Sequence, residues 1–145
     1  MAILSGGCLC GAILYEVNRD PTASATCYCR TCQYIAGGGP SHSMLIHKSD
    51  VEITKGEFAS YRMKSDEGNR VGLHFCRECG TPLFSESEAR PEFFAIKVGS
   101  LDDPSVFKSS MDFWVESAQP WHNVSKKPYQ KPKHSTIFQK IGRLF

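Results

Sequence analysis

The chain has 145 residues, 41% of them hydrophobic, and a formal net charge of +2. This length fits one domain with a modest core, and no segment approaches the roughly 20 apolar residues of a membrane span. Residues 125–145 hold six of the 17 Lys and Arg and no Asp or Glu, which leaves residues 1–124 with a net charge of −4. Because most of the chain is not basic, no nucleic-acid partner is expected.

The predicted elements are mainly short β-strands. Runs of β-branched and aromatic residues alternate with Gly, Pro, Asn and Asp, a pattern typical of strands joined by turns. A helical turn is expected at Arg30–Ile35. The predicted strands are Ala12–Val17, Ser41–Ile46, Val51–Thr54, Phe58–Met63, Val71–Phe75, Pro82–Glu86, Phe93–Val98 and Asp112–Glu116.

The C-terminal residues have a different pattern. Prolines within Lys126–Lys133 predict an extended linker that forms neither helix nor sheet pairing, and apolar residues at helical spacing predict a short amphipathic helix over Ser135–Phe145. We expect a zinc-binding domain over residues 1–124 and this basic linker and helix over 125–145. The helix is expected to pack on its own domain or on a second subunit of a homodimer. The alternative is attachment to an anionic membrane.

The seven cysteines are the strongest chemical signal in the sequence. Their odd number argues against a framework made only of disulfides. The N-terminal MAILSGG has no basic region and too short an apolar stretch for a signal peptide, so a cytoplasmic location with reduced thiols is expected. The cysteines form three clusters and none lies outside them: Cys8 and Cys10; Cys27, Cys29 and Cys32; and Cys76 and Cys79.

Tetrahedral zinc suits these clusters, because two thiolates from one tight turn readily reach the same ion. Structural zinc takes four protein ligands, whereas catalytic zinc takes three and keeps a position for water or substrate. The middle cluster can form an open site alone, and the other two clusters together supply four ligands. A rival partition pairs Cys76 and Cys79 with two cysteines of the middle cluster, and spacing does not exclude it.

An open three-thiolate zinc indicates sulfur chemistry, because thiolate ligands weaken zinc as a Lewis acid but let it hold an incoming thiol as thiolate. The competing interpretation is a second structural zinc whose fourth ligand is a histidine such as His42, His47 or His122. In that case the protein is a zinc-stabilised binding module without catalysis. The guanidinium of Arg30 or Arg77 would suit a substrate carboxylate, but for both residues a role at the surface or in bonding backbone is the expectation.

The motifs GGCLCGAILYEV, CYCRTCQYIAGG, HFCRECGTPLF, VGSLDDP and QPWH occur in this order over about Leu4 to His122. The sequence thereby resembles the glutathione-dependent formaldehyde-activating enzymes (GFA), whose domain is shared with centromere protein V. Two departures from the family pattern are Tyr28, where histidine is frequent, and the segment from Asp112 to Glu116, which replaces a histidine-containing one.

The resemblance implies an Mss4-like, β-rich fold with two Zn²⁺ sites per chain. It implies a structural site at Cys8, Cys10, Cys76 and Cys79 and a catalytic site at Cys27, Cys29 and Cys32. The implied activity is that of a carbon–sulfur lyase acting on small thiol adducts, of the S-hydroxymethylglutathione synthase type. The implied partner is a small thiol such as glutathione.

Overall fold

The computed structural model describes residues 2–124 and 130–131, in which eleven strands and one α-helix occur. The helix, α1, spans Arg30–Ile35. The prediction of a mainly β fold is therefore confirmed. The strands are β1 (Leu4–Gly7), β2 (Leu14–Val17), β3 (Ala23–Cys27), β4 (Ser41–His47), β5 (Val51–Lys55), β6 (Ala59–Lys64), β7 (Arg70–Phe75), β8 (Pro82–Ser87), β9 (Phe93–Lys97), β10 (Met111–Phe113) and β11 (Gln130–Lys131).

The strands form two sheets. The small sheet has the order β1-β2-β5, and the large sheet has the order β11-β10-β3-β4-β9-β8-β7-β6. All pairs are antiparallel except those of β10, which runs parallel to both β3 and β11. The order of the large sheet places the end of β3, which carries Cys27, between β10 and β4.

The main core includes side chains from both sheets. Successive residues of a strand point to opposite faces, so Met44 and Ile46 share one face of β4. They join Phe84 of the large sheet and Tyr15 and Val17 of the small sheet in one buried cluster. The rings of Tyr15 and Phe84 meet edge-on with centroids 5.0 Å apart, an arrangement that aromatic quadrupoles favour.

The opposite face of the large sheet carries smaller and more polar residues. Cys27 pairs with Ser41, and Ser43 pairs with Lys97, so these four side chains lie on one face of three neighbouring strands. All four are buried. A second apolar cluster, which contains Ala25, Cys27, Cys32 and Phe113, lies on this face.

Besides β11, the sequence analysis missed two strands, β1 and β3. Their sequences, LSGG and ASATC, lack the large β-branched and aromatic residues by which strands are recognised. Packing explains Gly6 in β1, because a Cβ at this position would lie 2.3 Å from the Ser100 carbonyl oxygen and 2.5 Å from the Tyr15 hydroxyl.

The predicted strand over Asp112–Glu116 is wrong in its second half. Trp114 adopts a left-handed conformation with φ 55°, which ends β10 at Phe113, and a 3-10 helix follows over Val115–Ser117. The other predicted strands are found with ends shifted by no more than two residues, and α1 has the predicted bounds. The predicted linker includes β11, which pairs with β10 although no pairing was expected there. The predicted helix over Ser135–Phe145 lies outside the described residues.

No helix in the described part of the chain is long and apolar enough to span a membrane.

Candidate metal centres

Four cysteines from distant parts of the sequence meet at the first centre, here called the clasp: Cys8, Cys10, Cys76 and Cys79. Their sulfur atoms all lie within 4.8 Å of one another. The Sγ atom of Cys10 is 3.5 Å from that of Cys8 and 3.8 Å from that of Cys76. Zinc–sulfur bonds of about 2.3 Å in a tetrahedron place neighbouring sulfurs about 3.8 Å apart. The clasp therefore fits a zinc ion, and the rival partition of the cysteines is wrong.

Two similar turns present the sulfurs of the clasp. The first follows β1, and the second joins β7 to β8. In each, a glycine directly after the second cysteine has φ 75° and donates its backbone N–H to the carbonyl of the first: Gly11 to Cys8 at 3.0 Å, and Gly80 to Cys76 at 2.8 Å. Left-handed backbone of this kind favours glycine, so the sequence specifies both turns locally.

Hydrogen bonds tie the two turns together. The hydroxyl of Thr81 accepts from the Leu9 N–H at 3.0 Å and contacts the Cys79 sulfur at 3.1 Å. Contacts from the Thr81 hydroxyl and backbone lower the pKa of Cys79 to about 6. The Ile13 N–H donates to the Cys8 sulfur at 3.2 Å. Donors aimed at sulfur favour the thiolate, which is the form that binds metal.

The second centre, here called the triad, consists of Cys27, Cys29 and Cys32. Its three sulfurs also lie within 4.8 Å of one another. Cys27 ends β3, Cys29 is the N-cap of α1, and Cys32 lies in the first turn of that helix. As the cap, the Cys29 sulfur accepts from the Cys32 N–H at 3.4 Å. Helix formation therefore brings two of the three sulfurs together, and Gly37, with φ 70°, lies just beyond the end of the helix.

Within the described residues, no histidine or carboxylate joins the triad as a fourth ligand. The three histidines considered from the sequence have other contacts. His42 Nδ1 lies 2.9 Å from the Thr26 hydroxyl, and His47 packs against the ring of Phe93. Both ring nitrogens of His122 contact backbone, Nδ1 accepting from an N–H and Nε2 donating to a carbonyl. The triad can thus hold a metal ion with one position left for another ligand.

Without metal, the triad shares one negative charge. Hydrogen bonds from Cys27 and Cys32 lower the pKa of Cys29 to about 3. Hydrogen bonds with Cys29 and Cys32 raise the pKa of Cys27 well above its usual value, and burial adds to this. The pKa of Cys32 is lowered by its bond with Cys27, but the bond with Cys29 and burial together raise it to about 12. Cys29 is therefore the thiolate at neutral pH.

The residues around the triad are mostly apolar. Met111, Phe113 and Trp114 pack against it from β10 and the residue that follows. Gln33 of α1 is 1% exposed, and its amide donates to the carbonyl of Tyr28 at 2.7 Å and to that of Ser117 at 2.9 Å. These bonds hold the helix against the chain on both sides of the centre.

A cavity of about 300 Å³ lies between α1 and strands β7 to β9. Tyr34 and Ile35 of the helix line it, together with Leu73 and Phe75 of β7 and Lys97 of β9. The sequence analysis missed Lys97. The available signal was a lysine at an inward position of FFAIK, whose other residues are apolar.

The two arginines considered as substrate contacts have other surroundings, as the sequence analysis favoured. Arg30 donates to the side-chain oxygen of Gln33, and its guanidinium lies 4.9 Å from the centroid of the Tyr34 ring. Arg77 is exposed in the turn of the clasp. Neither is among the residues that line the cavity.

The sequence profile described as "Glutathione-dependent formaldehyde-activating enzyme" matches residues 3–117. This is most of the chain. The chain belongs to the GFA family. The match includes all seven cysteines and ends before the segment that holds Trp121 and His122.

A solved structure has the same fold. It is a crystal structure of a Rhodobacter sphaeroides protein from a structural-genomics programme, with a TM-score of 0.58 and 20% sequence identity. The alignment covers 75% of this GFA chain and 98% of that one. The comparison with curated proteins found no significant match.

Proposed function

We propose that this GFA protein is a zinc-dependent carbon–sulfur lyase-type enzyme that forms and cleaves the adduct of a small thiol with formaldehyde. The observation that carries the proposal is the triad, three clustered sulfurs without a fourth protein ligand among the described residues. Membership of the family supports glutathione as the thiol and S-hydroxymethylglutathione as the adduct. A cytoplasmic location would supply reduced glutathione and keep the cysteines reduced.

The proposal gives the two centres different roles. The clasp would hold a structural zinc through four thiolates, and the triad would hold a second, catalytic zinc through three. When bound at the triad, zinc supplies a positive charge that keeps an incoming thiol in its nucleophilic thiolate form at neutral pH.

The chain's own residues fix the position of the reacting thiol. Because Cys27 lies at a strand end and Cys29 and Cys32 lie on one helical turn, the three sulfurs are preorganised before a ligand arrives. Cys27 and Cys32 are 3% and 2% exposed, so the substrate approaches from the side of Cys29, which is half-buried. The surrounding Met111, Phe113 and Trp114 exclude water from a reaction whose reverse releases formaldehyde.

The reaction balances without a redox step. The thiolate sulfur attacks the carbon of formaldehyde, a carbon–sulfur bond forms, and the π electrons of the carbonyl move to oxygen. The proton lost by the thiol ends on that oxygen and gives a hydroxymethyl thioether. The reverse reaction breaks the same carbon–sulfur bond and regenerates the thiol and formaldehyde.

Exchange spectroscopy tests the proposal. Glutathione, ¹³C-formaldehyde and their adduct interconvert spontaneously, so the measured quantity is the additional exchange rate that the zinc-loaded protein produces in the NMR spectrum. We expect acceleration by the wild type and its loss in Cys29→Ser, with Lys108→Met, a change at an exposed lysine, as the matched control. A folded Cys29→Ser protein that accelerates exchange as well as the wild type contradicts the proposal.

A further inference from the structure

Lys97 is unusual because it is a buried lysine without a carboxylate at ion-pair distance among the described residues. It is 5% exposed at the end of β9. Lysine is rarely buried to this extent unless it is paired, because removing an ammonium group from water is costly. The ion pairs found in the described chain involve Arg19, Lys48, Arg62 and His74, not Lys97.

The hydrogen bonds of Lys97 leave donor capacity for a ligand. Its Nζ atom donates to the Ser41 hydroxyl at 3.2 Å and to the Ser43 hydroxyl at 3.1 Å. An ammonium group has three donors, so two hydroxyls position it and one N–H is available. Neutral hydroxyls orient the cation without neutralising it, and its charge is therefore available to an anion in the cavity that it lines.

The register of the sheet places this cation beside the triad. Ser41, one of its two partners, pairs directly with Cys27 across strands β3 and β4. Side chains of directly paired residues have Cβ atoms about 5 Å apart on the same face. Lys97 also interacts electrostatically with Cys32. Lys97 thus lines the cavity and interacts with the triad from the same face of the sheet.

The remaining cavity wall indicates what kind of ligand fits. Most of the other lining residues, among them Tyr34, Ile35, Leu73 and Phe75, are aromatic or aliphatic, and Lys97 is the one lysine or arginine among those described. His74 also lines the cavity, but burial lowers the pKa of its ring, which favours the neutral form. A ligand suited to this surface has a body that packs on apolar side chains and a negative group that meets a single cation. Both features are present in a thiol that carries a carboxylate, as glutathione does.

We propose that Lys97 is a specificity-determining residue that binds the carboxylate of a thiol substrate in this cavity and so selects acidic thiols for the triad. The inference rests on the proposed function, because it assumes that a thiol binds at the triad. Arg30 does not serve this role, since its guanidinium is held by Gln33 and Tyr34 on the exposed side of α1.

Binding measurements with a matched pair of thiols test this role. The probes are 3-mercaptopropionate and its methyl ester, in which a methyl group caps the carboxylate and removes its negative charge, with glutathione as a third ligand. Dissociation constants are measured by calorimetry on zinc-loaded wild type, Lys97→Met and the surface control Lys108→Met. A charge-assisted hydrogen bond contributes about 1.5–3 kcal/mol, so we expect the wild type to bind the acid about ten- to a hundredfold more tightly than the ester.

The variants give the decisive comparison. In Lys97→Met we expect the preference for the acid to disappear, with binding of the ester unchanged within about twofold and both zinc ions retained. Lys108→Met should behave as the wild type. Equal weakening of both thiols would overturn the proposal and make Lys97 a counter-charge for the metal-bound sulfurs. An unchanged preference in Lys97→Met would overturn it as well.

The wild type alone distinguishes failure of this proposal from failure of the proposed function. If it binds acid and ester equally well, the role of Lys97 is refuted while thiol binding at the triad stands. If it binds none of the three thiols, the proposed function fails and the role of Lys97 fails with it. This comparison remains decisive if Lys97→Met does not fold.

Discussion

Loss of the clasp is expected to destabilise the fold more than loss of the triad, and the difference follows from the loops that the two centres close. Cys10 and Cys76 are 66 residues apart, whereas Cys27 and Cys32 are five residues apart. The entropic cost of closing a loop rises as (3/2)RT times the logarithm of its length. A metal ion in the clasp therefore restricts the unfolded chain by about 2 kcal/mol more than one in the triad.

Two double variants isolate this difference. Cys76→Ser/Cys79→Ser opens the clasp, and Cys27→Ser/Cys29→Ser removes the triad. Each replaces one buried and one half-buried thiol, so the packing losses are similar. Because small domains are stable by only about 5–15 kcal/mol, an additional loss of about 2 kcal/mol is readily measured.

Urea unfolding at fixed zinc concentration, followed by tryptophan fluorescence, provides the assay. We expect the clasp variant to have the lower free energy of unfolding by about 2 kcal/mol, with equal dependence on urea. Equal stability of the two variants, or a larger loss in the triad variant, refutes the assignment of the clasp as the structural centre.

Three further outcomes are expected. Zinc binding at the triad at pH 7 should release two protons, because Cys29, with its pKa near 3, is already ionised whereas Cys27 and Cys32 are not. Calorimetry in buffers of different ionisation enthalpy measures the number of protons released, and release of no proton contradicts the prediction. Burial lowers the pKa of His74 below its usual 6.5, so the unfolded chain binds more protons at this residue than the folded chain. The free energy of unfolding should therefore fall as the pH drops below about 6.5, by at most about 1.4 kcal/mol per pH unit. Urea unfolding measures this, and a His74→Gln variant whose stability falls with pH as steeply as that of the wild type refutes it. Gly6→Ala should lower the free energy of unfolding, measured by chemical denaturation, by about 1–3 kcal/mol, because the new Cβ would lie 2.3 Å from a backbone oxygen. Gly39→Ala should change it little, because no atom lies within 4 Å of a Cβ there. Equal stability of the two variants contradicts the packing explanation.

The sequence predicted those elements whose signals are local. Alternating large residues identified most strands. The bounds of α1 were predicted directly after Cys29, whose sulfur caps the helix. The cysteine spacings predicted three local clusters, because each turn or helical start brings its own sulfurs together. Spacing did not decide which two clusters meet in the clasp, since it left the rival partition open.

The features that were missed depend on contacts between distant residues. Gly6 in β1 leaves room for Tyr15 of the neighbouring strand and for the carbonyl of Ser100, which is far from it in sequence. β10 ends early because Trp114 takes a left-handed conformation, which an aromatic residue does not signal. Lys97 gains its surroundings from Ser41 and Ser43 on a neighbouring strand, so its charge could not be assigned to the site from sequence.

The stoichiometry and accessibility of bound zinc test the central claim most directly. The zinc-loaded protein is treated with a mild chromogenic chelator, with and without glutathione, and the release of metal is followed over time. We expect two zinc ions per chain, one released rapidly unless glutathione protects it and one released only on unfolding. Two equally inert ions, or a rapid release that glutathione does not slow, would contradict the division into a closed centre and an open one.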